Sequence, residues 1–199
     1  KHFNDIRKGV PKMSPTLLSK RLKELEWHGI LNRVESPKVS RKSMYVLTQA
    51  GSELFDVINA IGSWGKRWID MRHNLDSAKE NLLIWDIRRN LCMKYFPVNK
   101  AVLQINITDA PKKTSNWWFI FDGKERPDVG YLDPSLDVDL YIETSLSSLT
   151  KIWLGASTHS TENKAGNFQI EGSQKMIDTF ESWFGSSNFA SIQKFAMAS

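Results

Sequence analysis

Cysteine is nearly absent: Cys92 stands alone among 199 residues, so no disulfide closes within the chain and a reducing compartment is its expected home. Histidine is scarce too. The four histidines lie at positions 2, 28, 73 and 159, and no pair has the helical spacing of metal ligands. There is no glycine-rich phosphate loop, no signal-peptide pattern and no apolar run near the roughly 20 residues that cross a bilayer. These absences predict a cytoplasmic protein with no membrane span, no metal, no cofactor and no enzymatic activity. Asp137, Asp139 and Glu143 share one face of an expected strand, and they read as an exposed acidic face rather than an acid–base pair. The first residue is Lys1 rather than methionine, so a preceding segment is expected.

What is present is unevenly distributed. Residues 1–72 carry 14 Lys/Arg against 7 Asp/Glu, whereas residues 73–199 carry 13 against 15. The excess of positive charge is N-terminal, as in a polyanion-binding module joined to a part with another task. Apolar residues at 41% and charged residues at 25% suit folded domains, and the length holds one large domain or two small ones.

The most informative stretch runs from Ser14 to Gly29. Ser14 suits the N-cap, Pro15 the first helical position and Gly29 the left-handed residue past the end. At about 100° per residue, Leu18, Leu22 and Leu25 fall on one side, with Thr16, Ser19, Lys20 and Lys23 nearly opposite. A short hydrogen-bonding and cationic stripe of this kind fits a DNA major groove, or else the solvated face of an ordinary amphipathic helix. Thr16, Ser19 and Lys20 are expected near base edges and Lys23 near a phosphate, with Ser14 and Pro15 at the DNA-binding start of the helix.

The flanking sequence agrees. A short helical pattern from Phe3 stops at Gly9-Val10-Pro11, giving helix, turn, helix. Ile30–Glu35 and Ser43–Leu47 read as a hairpin around a cationic loop, a wing whose Arg41 and Lys42 are expected to neutralise phosphates or enter a minor groove. Thr48 can cap a long helix in which Leu54, Val57, Ile58, Ile61, Trp64 and Trp68 recur at spacings of three and four, a stripe that serves either core packing or a second copy of the chain.

Phe3-Asn4-Asp5-Ile6, the run from Ser14-Pro15 to Glu24-Leu25, Gly29-Ile30-Leu31, Tyr45 to Gly51, and Trp64-Gly65 with Trp68 together resemble the HxlR-type winged-helix transcriptional regulators. The resemblance implies a homodimer that places the helix from Pro15 in the major groove of double-stranded DNA, with the wing on the backbone or minor groove. It also implies an earlier dimer-forming helix before Lys1.

Residues 73–77 break the periodicity, and a helix is expected over roughly Ala78–Lys94. Strands are then expected at Val102–Thr108, Trp117–Phe121, Val129–Leu132, Asp137–Glu143 and Phe168–Glu171, with helices at Ser145–Leu154 and Lys175–Phe184. Trp117-Trp118, Leu149 with Trp153-Leu154-Gly155, Gly166 with Ile170-Glu171-Gly172, and Phe180 with Trp183-Phe184-Gly185 look like a sterol-carrier-protein-type (SCP-type) lipid-transfer domain. That resemblance implies an apolar tunnel, lined here by Val138, Leu140, Ile142, Leu149, Trp153, Ile170, Phe180 and Trp183, for a small hydrophobic ligand. The stretch from Ala156 to Ala165 departs from the family pattern. Its His159 and Asn163 replace apolar residues, so a loose lid or a more open, polar cavity is expected.

The expected fold class is α+β: an N-terminal winged helix-turn-helix domain over 1–72, a linker and connecting helix over 73–100, and a C-terminal antiparallel-sheet SCP-like α+β domain over 101–199. The expected function is sequence-specific regulation of transcription, tuned by a hydrophobic ligand. The alternative is a lipid-binding or carrier protein whose winged helix mediates protein contacts.

Overall fold

The computed structural model describes residues 1–10, 13–35, 43–69 and 80–192. In it α1 (Phe3–Gly9) is capped reciprocally, His2 donating its backbone N–H to Asp5 Oδ2 at 3.1 Å. The second helix, α2 (Pro15–Trp27), follows the Ser14 cap. Its Leu18 and Leu22 are buried with Leu31, and Phe3, Ile6, Val10, Met13 and Tyr45 pack around them. Each buried leucine contributes roughly 1.5–3 kcal/mol.

Two antiparallel strands follow, β1 (Leu31–Glu35) and β2 (Ser43–Leu47), in register from Leu31 opposite Leu47 to Glu35 opposite Ser43. The long helix α3 (Gln49–Trp68) begins at Thr48, whose Oγ1 accepts from Gly51 N at 3.1 Å and donates to Gly29 O at 2.6 Å. Gly29 holds φ +68° there, the left-handed turn expected of it. A β-carbon on Gly51 would sit 1.9 Å from Ile30 O, so only glycine lets α3 approach the start of the hairpin this closely.

The chain divides into two compact units, Lys1–Gly65 and Lys66–Ser199, and the division falls inside α3 rather than at Arg72. In the second unit, α4 (Glu80–Asn90) and a 3₁₀ turn (Met93–Tyr95) precede the sheet. Leu83, Ile84, Ile87 and Leu91 belong to the same core as the strands. The segment expected to connect domains is therefore partly a wall of the second one.

Five strands, β3 (Lys100–Ile107), β4 (Asn116–Asp122), β5 (Asp128–Gly130), β6 (Leu140–Thr144) and β7 (Phe168–Gly172), form one sheet in the order β5-β4-β3-β6-β7. Period-two alternation turns Leu103, Ile105, Trp117, Phe119, Leu140, Ile142 and Phe168 into the core. That face is covered by α4, by α5 (Leu146–Trp153) and by two short helices, α7 (Gln174–Asp178) and α8 (Phe180–Phe184); α6 (His159–Lys164) lies between α5 and β7.

The α+β class stands, with particular differences. The sheet is mixed rather than wholly antiparallel, because β3 and β6 run parallel at its centre, Leu103 opposite Leu140. Strand β6 begins three residues later than expected. Just ahead of it Asp139 donates its N–H to Val102 O at 2.9 Å, while its carboxylate accepts from Val102 N at 2.8 Å. Asp137 consequently lies outside the strand and shares no strand face with Glu143. The single helix expected over Lys175–Phe184 is two, broken at Thr179, whose hydroxyl bonds Lys175 O at 2.8 Å while its backbone leaves the helical region.

Candidate nucleic-acid interface

Ser14 Oγ accepts from Leu17 N at 3.2 Å, and Pro15 occupies the first turn, where its missing N–H leaves no bond unmade. With Leu18 and Leu22 fixed inward, the opposite side presents exposed Thr16, Lys20 and Lys23 and half-buried Ser19. Pro15, Thr16, Ser19, Lys20 and Lys23 together line one shallow depression. The structure thus gathers six of the eight expected contact residues on one side of α2, Ser14 included as its cap. Arg41 and Lys42 lie outside the described residues.

The helix differs from its expected pattern at one position. Leu25 is 40% exposed and Trp27 is 86% exposed, so the buried stripe ends at Leu22, a turn earlier than expected. Among the cations, Arg21 is engaged within the helix, its Nη1 2.7 Å from Glu24 Oε2. That hydrogen bond holds the Glu24 carboxyl below its ordinary pKa, with Lys20 adding a weaker attraction. Lys20 and Lys23 flank this pair.

A second groove adjoins the first and shares Ser19 and Lys23 with it, bounded otherwise by Glu26 of α2, by Asp5 of α1 and by the hairpin residues Arg33 and Tyr45. Arg33 was not among the expected contacts. Its signal was parity: on β1 it lies opposite Tyr45 and on the side of Leu31, the side that meets α2.

The long helix α3 carries an apolar face that the other described residues of its own unit do not cover. Val57, Ile58, Ile61 and Trp64 are 52, 62, 64 and 59% exposed. Core packing within the described residues therefore does not account for that stripe.

In the second unit, Leu140, Ile142, Leu149, Trp153, Phe180 and Trp183 are brought together, each no more than 2% exposed. Ile170 packs at the edge of this core, and Val138 is half-buried ahead of β6. These side chains fill space against one another: Phe180 stacks on Phe184 at 4.6 Å, and Trp183 meets Phe180 edge-on at 5.2 Å. The indole N–H groups are satisfied, Trp153 by Asp86 Oδ2 at 2.8 Å and Trp183 by Met176 O at 3.0 Å.

The stretch from Ala156 to Ala165 is not a loose loop. It contains α6, capped by Thr158, whose Oγ1 accepts from Thr161 N at 3.1 Å. Glu162, which sequence reasoning passed over, is buried there at 6% exposure. Hydrogen bonds from Ser157, then Ser148 and Asn167, hold its carboxyl below the usual glutamate range against the opposing effect of burial. Among the described residues no cluster of His, Cys, Asp and Glu is arranged to hold a metal ion, and no helix is long and apolar enough to cross a membrane.

Residues 1–73 match the HxlR-like helix-turn-helix family. A protein described as an uncharacterized HTH-type transcriptional regulator, YvaP of Bacillus subtilis, is 37% identical over 68 residues, 34% of this chain and 63% of its own. The chain spans 55 to 63% of the length of the first curated relatives it matches. Among solved structures, the reduced form of the transcriptional regulator YodB from B. subtilis is 33% identical, with a TM-score of 0.33 over 35% of this chain and 69% of that one. Apo sterol carrier protein 2 from Yarrowia lipolytica is similar over 53% of this chain and 88% of its own, at 15% identity and a TM-score of 0.39. Residues 1–73 of the chain are thus an HxlR-like helix-turn-helix domain.

Proposed function

We propose that the protein is a sequence-specific DNA-binding regulator of transcription that acts as a homodimer in the cytoplasm. The observation that carries this reading is the outward stripe of α2. Leu18 and Leu22 anchor the helix from behind, so Thr16, Ser19 and Lys20 are free to meet base edges in the major groove, while Lys23 and the hairpin cations Arg41 and Lys42 meet phosphates. Ser14 and Pro15 set the helix start that leads into the groove. The uncovered Val57–Trp64 face of α3 supports pairing with a second copy, since two half-sites one duplex turn apart need two protomers.

The C-terminal unit is proposed as the sensor. A small hydrophobic ligand would lodge among Val138, Leu140, Ile142, Leu149, Trp153, Ile170, Phe180 and Trp183, parting side chains that now touch, and would regulate DNA binding only by favouring one dimer geometry over another. Residues 1–73 hold no cysteine, so a thiol switch within them has no part in the scheme.

Selection of bound fragments from sheared genomic DNA with the full chain tests the proposal. Recovery of a shared motif with two half-sites is the expected result. Failure to retain any duplex at low salt would remove the regulator reading and favour a carrier.

A further inference from the structure

The segment joining α5 to β7 is built unlike the rest of its unit. It is bracketed by two glycines in the left-handed region, Gly155 at φ +69° and Gly166 at φ +75°, conformations that other residues adopt at a penalty. Between them α6 has the sequence His-Ser-Thr-Glu-Asn-Lys, with no apolar side chain. Every neighbouring helix is attached through leucine, methionine or aromatic residues. This one is attached through polar groups.

Those groups are specific. Glu162 points inward to Ser148, Ser157 and Asn167, the last donating Nδ2 to Oε2 at 3.4 Å. Asn163 Nδ2 donates to Phe168 O at 2.8 Å, and His159 Nδ1 lies 2.9 Å from Glu181 Oε1. The imidazole meets the rings of Phe180 and Phe168 edge-on, at 5.6 and 6.4 Å. Beneath the segment those two phenylalanines are buried, at 2 and 0% exposure.

We infer that residues 156–165 form a hinged lid, latched by Glu162 and Asn163, that swings on Gly155 and Gly166 to open the Phe168–Phe180 end of the core to an apolar guest. The physical basis is the kind of attachment. Apart from the His159 ring on Phe168 and Phe180, helix α6 contributes no apolar side chain, so releasing that ring and a few hydrogen bonds frees it, whereas moving α5 or α8 would expose several large side chains. A guest lying on Phe168 and Phe180 offsets the exposure that opening creates. The gate rests on the effector reading above; the hinge does not.

Hydrogen exchange on the full chain separates the possibilities. Glu162→Gln keeps the shape and removes the charge, and exchange of the 157–166 amides is expected to rise about ten- to hundredfold while β3 and β6 keep their rates. Asn163→Ala, a change at the surface, gives a smaller rise of about fivefold over the same amides and decides the matter if the first variant does not fold. Unchanged exchange in 157–166, or an equal rise throughout the unit, overturns the hinge. For the gate, a dansyl-labelled long-chain fatty acid should associate faster with Glu162→Gln in proportion to the local opening. An unaltered rate beside faster local exchange overturns it. Absence of binding to either protein refutes the effector reading and with it the gate, while the exchange pattern alone judges the hinge.

Discussion

Replacing Lys20 and Lys23 together by alanine is the most direct probe of the proposed interface. Both side chains are exposed on the stripe that lies opposite buried Leu18 and Leu22. Alanine is the better helix former, so circular dichroism should be unchanged. Each phosphate neutralised by a lysine contributes about 0.9 to the slope of log K against log salt. Losing two contacts lowers the slope by about 1.8 for one protomer and by about 3.6 for a pair. Between about 50 and about 200 mM salt the wild type should lose about 12-fold more affinity than the variant per engaged protomer, and about 150-fold more for two. Fluorescence anisotropy with a labelled duplex across that range measures it. Lys124→Ala removes the same kind of charge from the other unit, where Asp122 and Asp128 hold the ammonium, and should leave the slope unaltered. A double variant with the slope of the wild type would refute the placement of these lysines on phosphates.

Three further outcomes are expected. Ser14→Ala removes the acceptor of Leu17 N and should lower the stability of the first unit by about 1 kcal/mol in urea unfolding; no change would mean that the cap carries no energy. Gly51→Ala forces α3 away from Ile30 O and should destabilise that unit by about 1–3 kcal/mol, read as a lowered Tm. The Glu162 carboxyl titrates below its ordinary value of 4.5 in the folded protein because Ser157, Ser148 and Asn167 bond its charged form. Its contribution to stability is therefore whole above pH 4.5 and fades as pH falls through the lower folded value. The stability gap between wild type and Glu162→Gln should narrow in acid, and a gap independent of pH would refute the assignment.

What the sequence revealed followed the range of the interactions involved. Helix α2 was legible because Ser14, Pro15, Gly29 and the Leu18–Leu22 period all act within one or two turns. The cap at Thr48 and the hairpin were legible for the same reason. The apolar period of α3 was equally plain, but a period says which side chains share a face and not what covers it. Alternation of Val138 and Leu140 suggests an earlier start for β6, whereas the Asp139 carboxylate that takes the Val102 N–H answers to a residue far off in sequence. Glu162 gave no signal of burial, since it is inside only because Ser148, Ser157 and Asn167 meet it there. The parallel centre of the sheet was hidden by the same logic: alternation reads identically for strands of either sense.

That centre dictates an order of assembly. Once residue 139 has left the ribosome, β3 can have β4 along one edge, yet its other edge awaits Leu140–Thr144. Until those five residues emerge from the ribosome, a strand carrying Leu103, Ile105 and Ile107 offers its open backbone to any passing chain. A chain released short of Thr144 would thus carry half a sheet with an open edge prone to aggregate.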